Sequence, residues 1–320
     1  MLEKEAGFYM KQLLARVLLL LFFLVLMLNP QITVSGATTG LLLWFHSVIP
    51  SLLPFMILSN LLVSLNGIAL FTTVITPLTS RLFGISQDGS YALLAGFICG
   101  YPMGAKTCAD LLLKKKISRE EAQYLLCFVN NPGPAFISGY LLQKVLKGSF
   151  PASPFFLAIY GAPFLMAVFL RSLFPHTKKE GQRLPFLPFL PARGADFRIL
   201  DHAIMNGFET ATKLGGYIIM FSILSAFLSS QKLLCLPLKA FLLSITEITT
   251  GVEFLGTLSR EYRNMAVCAC VSFGGLSGLF QTKSVISDTS LKLLPYILSK
   301  IGISLLSAIL YGICSILTEA

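Results

Sequence analysis

The chain has 320 residues, of which 55% are hydrophobic and only 12% charged, with a mean hydropathy of +0.76. Soluble domains carry about 25% charged residues, so this chain lacks the polar sequence for a water-facing shell, which excludes a soluble one- or two-domain protein. The net charge of +10 is no nucleic-acid footprint either: Lys114, Lys115, Lys116 and Arg119 form one cluster and Lys178, Lys179, Arg183, Arg193 and Arg198 another. Both flank apolar runs, as the cytoplasmic loops of membrane proteins do.

Recurrent apolar windows predict an all-α polytopic membrane protein with about eight to ten transmembrane segments. Lys4, Lys11 and Arg16 precede the first apolar run, 17–28, which resembles a signal peptide. Asn29-Pro30-Gln31 offers no clear small-x-small cleavage site, although 34–37 keeps cleavage open. The reading favoured is an uncleaved helix with its N-terminus in the cytoplasm, followed by an uncharged outer loop over 29–40. Segment 41–65 holds Pro50 and Pro54, each of which removes an amide donor and crowds the preceding turn, so a kink is predicted. Segment 68–83, with Pro77 and Arg81, reads as a short span or a re-entrant segment. Segment 91–106 is apolar and glycine-rich. Ser118 at an N-cap and Glu121 at the capping-box position open the next helix. That helix must break at Asn130-Asn131-Pro132-Gly133-Pro134, resuming over 135–145, and 155–174 makes a further span.

Pro175, Pro185, Pro188 and Pro191, with the second basic cluster, predict a cytoplasmic linker over 175–197. Phe197, Leu200, Ile204, Phe208 and Ala211 then recur at three- and four-residue steps. That spacing predicts an amphipathic interfacial helix leading into a span over 214–228. Three more apolar segments follow at 233–258, 265–286 and 291–317. The organisation expected is a first helix and outer loop (1–40), one unit (41–174), the linker, and a second unit (198–320).

Seven cysteines without a CxxC and three scattered histidines predict no disulfide framework, metal or cofactor. There is no HExxH, no GxSxG and no phosphate-binding glycine loop, so an enzyme is not expected. Function is expected instead at breaks within apolar segments, because irregular backbone is tolerated in hydrocarbon only where it is buried or lines a cavity.

Four such breaks supply the candidate solute-binding residues. Gly100, Tyr101, Pro102, Gly104 and Lys106 lie at the first, and Asn130, Asn131, Pro132 and Pro134 at the second. Glu247 and Thr250 lie at the third, and Gly274, Gly275 and Ser277 at the fourth. Gly100 and Asn130 are 30 residues apart, Glu247 and Gly274 27, so the breaks read as two corresponding pairs, the pattern of a repeat-built transporter. They are predicted to meet near the bilayer midplane. Asn130 and Asn131 are expected to cap the half-helix beyond Pro134, while Gly274 and Gly275 leave amides open. Such N-termini carry about half a positive charge and attract anions. Glu247 is an ionisable residue inside an apolar segment, hence a coupling or solute residue, or else the partner of a lysine or a backbone amide. Lys106 either lines the solute path or snorkels to the cytoplasmic face. The partners expected are the lipid bilayer and a small anionic solute, with no nucleic acid; a homo-oligomer is compatible with the sequence.

The run Gly96-Phe97-Ile98-Cys99-Gly100-Tyr101-Pro102-Met103-Gly104-Ala105-Lys106, the run 130–137 and Phe273-Gly274-Gly275-Leu276-Ser277 resemble the sporulation integral membrane proteins of the YlbJ type. So do 49–55 and Glu247-Ile248-Thr249, and the resemblance extends over about 41–310. The group carries nucleoside-recognition, or Gate, domains, a label that reflects similarity to nucleoside permeases. What the resemblance implies is two Gate domains forming a permease-like core in the membrane of a spore-forming bacterium. It further implies a place in the outer forespore membrane and movement of dipicolinate, a small aromatic dianion, late in sporulation. The competing reading is a non-transporting scaffold for spore-envelope assembly, which has no need of Asn130, Asn131 and Glu247 at membrane depth.

Overall fold

The computed structural model describes residues 2–65, 72–148, 150–174 and 197–319, and every regular element among them is helical. The expected linker, apart from Phe197, and the start of segment 68–83 lie outside the described residues.

Helix α1 (Leu2–Leu28) meets α2 (Pro30–Leu43) at Asn29, where the chain bends by 103°. The outer loop expected over 29–40 is therefore a helix. Pro30 stands at its first turn, where its missing amide is no loss and its fixed φ suits the start. Tertiary packing holds the rest: α2 lies against α9 (Phe197–Ser230). A methyl group at Gly36 or Gly40 would stand 2.7 Å from the Cα of Ile223 or Ile219. Two glycines four apart allow this close approach, as in small-xxx-small membrane packing. A five-residue π turn, Trp44–Val48, joins α2 to α3 (Ile49–Ser64), with Pro50 in the first turn of α3 and Pro54 inside it.

Helix α4 (Thr76–Phe83) has eight residues, far short of the roughly 20 needed to cross hydrocarbon. Next come α5 (Gln87–Cys99), α6 (Met103–Leu113), α7 (Arg119–Val129), a π-helical segment (Phe136–Val145) and α8 (Ala152–Leu170). Ser118 caps α7 as predicted, its hydroxyl accepting from the Glu121 amide at 3.1 Å. The Glu121 carboxylate does not return to Ser118, however; it accepts from the Ser86 amide at the head of α5 at 2.6 Å.

In the second half α9 is one 34-residue helix. Its buried stripe is Ala203, Gly207, Ala211 and Leu214, while Phe197 and Phe208 are exposed. Of the apolar face expected from Phe197, Leu200, Ile204, Phe208 and Ala211, Ala211 is packed and Ile204 half-buried, whereas Phe197, Leu200 and Phe208 are exposed. Close approach to α3, where a Cβ on Gly207 would meet Ile57 at 3.0 Å, selects small residues. Beyond it lie α10 (Leu236–Thr246), α11 (Ile248–Gly256), α12 (Arg260–Phe273), α13 (Gly275–Val285) and α14 (Leu293–Glu319).

Among the described residues, four stretches are long and apolar enough to cross a membrane, or five if the bent pair at Asn29 counts as one. The remaining apolar sequence forms helices of about half that length, meeting end to end at breaks. The order helix, break, helix, repeated once, occurs in α5 to the π segment and again in α10 to α13. Helix α14 packs against α7, α8 and α12. It therefore touches elements of both halves.

Candidate solute site at the helix breaks

In the first half the two breaks interlock through backbone. Helix α5 ends at Gly100, with φ at 86°, and α7 ends at Asn130. A Cβ on Gly96 would stand 1.9 Å from the Val129 carbonyl oxygen, and one on Gly104 2.5 Å from it. Pro102 immediately precedes α6. Asn130 is fully buried, and its side-chain amide donates to the Thr282 hydroxyl and the Tyr296 hydroxyl, both at 2.9 Å. Its Oδ1 accepts from the Ala105 amide at 3.4 Å, so it caps α6 across the break.

Asn131 turns back and donates to the Phe128 carbonyl at 2.6 Å. Neither asparagine caps the segment beyond Pro134, whose N-cap position is Ala135 with no side-chain bond. Residues 132–133, without regular structure, separate them from it, and the two side chains turn instead to the ends of α6 and α7. The Pro132 carbonyl accepts from Tyr160, at 3.0 Å, and the Pro134 carbonyl from Ser138, at 2.8 Å.

In the second half Glu247 is extended and only 2% exposed. Its Oε2 accepts from the Thr250 amide at 2.9 Å, the Thr250 hydroxyl at 3.2 Å and the Thr249 hydroxyl. An anionic N-cap is favoured by the helix dipole. Of the roles expected for Glu247, the amide partner is the one its contacts fill; no basic side chain pairs with it among the described residues. Gly274 adopts a left-handed conformation, and the apolar stretch Arg263–Val285 runs on through it. The Gly274 amide, expected to stand open, donates to the Cys270 carbonyl at 3.0 Å, and a Cβ on Gly275 would stand 3.2 Å from the Thr246 carbonyl oxygen of the neighbouring break. Ser277 is buried and accepts from Gln281 within its own helix at 3.0 Å.

Tyr101 and Lys300 join the two halves. The Tyr101 hydroxyl donates to the Ser272 carbonyl at 3.1 Å, and its ring lies 2.8 Å from where a Cβ on Gly274 would be. Lys300, on α14, is 0% exposed. Its ammonium donates to the Tyr101 hydroxyl at 2.6 Å and to the Asn130 carbonyl at 3.2 Å, and lies 4.9 Å from the centre of the Tyr101 ring. No carboxylate pairs with it among the described residues.

The cluster thus gathers Tyr101, Asn130 and Gly274 from the residues expected at the site, with Glu247, Thr250 and Gly275 at the adjoining break. Asn131 and Ser277 serve their own helices. Lys106 is buried and pairs with Asp110 one turn on, at 3.2 Å, so its charge is already matched and does not snorkel. Lys300, Tyr296 and Thr282 lie within helices rather than at breaks, so no break in the sequence marks them. Lys300, a turn or more inside the apolar run 291–317 at whose edge Lys292 stands, is the available signal. On the other face of α13 from Thr282, a cleft of about 420 Å³ opens toward α9, lined by Lys213, Gly216, Tyr217, Met220 and Ser284.

No family model matches the chain, and no solved structure does. It is 28% identical over 307 residues, covering 85% of its own length and 75% of the relative's, to the sporulation integral membrane protein YlbJ of Bacillus subtilis (strain 168). With its apolar helices, the chain is thus an integral membrane protein similar over most of its length to a sporulation protein of the YlbJ type.

Proposed function

We propose that the protein transports a small polar, anionic solute during spore formation, dipicolinate being the solute its resemblance to YlbJ-type proteins suggests. The observation that carries this reading is the polar cluster in which Tyr101 and Asn130, at the two breaks of the first half, meet Thr282, Tyr296 and Lys300 from helices α13 and α14 of the second. Burying such groups is costly, and a scaffold held by helix packing alone would be cheaper with apolar residues there. The repeated order of helix and break supports two related units, whose movement against each other would expose the cluster to either side in turn. A place in the outer forespore membrane rests on the resemblance alone. Uptake by the purified protein in liposomes, compared for dipicolinate, nucleosides and other anions, tests the reading. Saturable anion uptake is expected. A folded, inserted protein that moves none of them leaves the scaffold.

A further inference from the structure

We propose that Lys300 is the cation that receives the solute's carboxylate, and that Tyr101 covers it while the site is closed; this deepens the transport reading and rests on it. Lys300 is the fully buried lysine among the described residues. Lys106, Lys144 and Lys213 each have a carboxylate partner, whereas Lys300 has two neutral oxygens. A buried ammonium is costly unless a counter-charge meets it. An ammonium also has three donors, and two are used.

A second unfilled group belongs to a residue that meets the same tyrosine hydroxyl. Ser272 accepts Tyr101 on its carbonyl, but its own hydroxyl is buried, with the residue 1% exposed, and makes no hydrogen bond. Buried polar groups left without partners are uncommon in folded proteins. Lys300 and Ser272 both meet the Tyr101 hydroxyl, Lys300 through its ammonium and Ser272 through its carbonyl, and each keeps a donor without an acceptor. A carboxylate brings two acceptor oxygens, no donor and one negative charge, which matches both. A neutral solute leaves the charge of Lys300 unmatched. Tyr101 is only partly buried, while Lys300 and Asn130 are fully so, so Tyr101 is the member of the cluster that reaches the surface. Its ring lies against Gly274, where a side chain would keep it from closing.

The test uses full-length purified protein in detergent with pyridine-2,6-dicarboxylate, benzoate and uridine as probes. Affinity is read by calorimetry, and the thermal midpoint without ligand is read separately. In K300M, binding of the carboxylates should weaken roughly tenfold to hundredfold, the cost of a lost charged hydrogen bond, while K300R retains most of it. The ligand-free midpoint of K300M should hold or rise, because an unmatched buried charge is gone. Unchanged carboxylate affinity in K300M overturns the assignment even if the protein transports anions. So does a midpoint that falls in K300M and holds in K300R, which marks Lys300 as structural. Binding of uridine alone removes the carboxylate but keeps a transporter; binding and uptake of no probe removes both readings. For the cover, Y101A should make Lys300 reactive to trinitrobenzenesulfonate by mass spectrometry. Labelling equal to wild type would show that Tyr101 shields nothing.

Discussion

At the scale of single residues, the two neighbouring asparagines have different duties. Asn130 satisfies three groups on three helices, whereas Asn131 bonds one carbonyl of its own helix. Asn130→Ala is expected to cost about 1–3 kcal/mol, since buried partners are left unpaired, and to abolish uptake. Asn131→Ala should cost about 1 kcal/mol or less and keep measurable uptake, because one local bond is lost. Thermal unfolding and liposome flux on the same preparations check both. Glu247 poses a separate question. Glu247→Gln keeps an acceptor for the amide of Thr250, so the cap should weaken by less than about 1 kcal/mol. If the carboxylate carries a coupling proton, gradient-driven uptake falls while solute exchange persists. Equal loss of both, together with stability, limits Glu247 to its cap.

At the scale of elements, the half-length helices hold together because glycine lets backbone meet backbone at their ends. Gly96→Ala would place a methyl group 1.9 Å from the Val129 carbonyl oxygen, and a backbone atom cannot swing aside. The expected cost is at the upper end of overpacking, about 3 kcal/mol, seen as loss of folded protein from the membrane. Gly278→Ala meets nothing within 4 Å and should stabilise α13 by about 0.5–1 kcal/mol, through the lower flexibility of alanine. Equal expression and stability of the two variants would contradict this packing. The breaks themselves were legible, since Gly100, Asn130 to Pro134, Glu247 and Gly274 interrupt apolar sequence where proline, glycine or charge must. The partners of the side chains were not. Asn130 reaches a helix 25 residues earlier and another 152 residues later, and no local pattern encodes such pairings.

At the scale of the whole molecule, α14 ties the halves at the cluster by carrying Tyr296 and Lys300 into it. The basic loop that begins at Lys114, between α6 and α7, should face the cytoplasm by the positive-inside rule. Single cysteines placed there in an otherwise cysteine-free chain should react with a membrane-impermeant maleimide only after the inner side is opened. Labelling from outside intact cells would invert the assignment.

The solvent of this protein, its helical class and the main breaks of its helices were legible in the chain alone. They follow from composition and short-range backbone chemistry: apolar runs seek lipid, and clustered proline, glycine, asparagine or charge weakens a helix locally. Tertiary packing made residues 30–40 a helix where a loop was expected, and turned small residues rather than phenylalanines inward on α9. The same holds for Lys300, which meets Tyr101 and Asn130 with no acid beside it among the described residues. Each of these depends on which surfaces approach closely. In a chain whose lipid-facing and protein-facing residues are equally apolar, hydropathy does not tell the two apart.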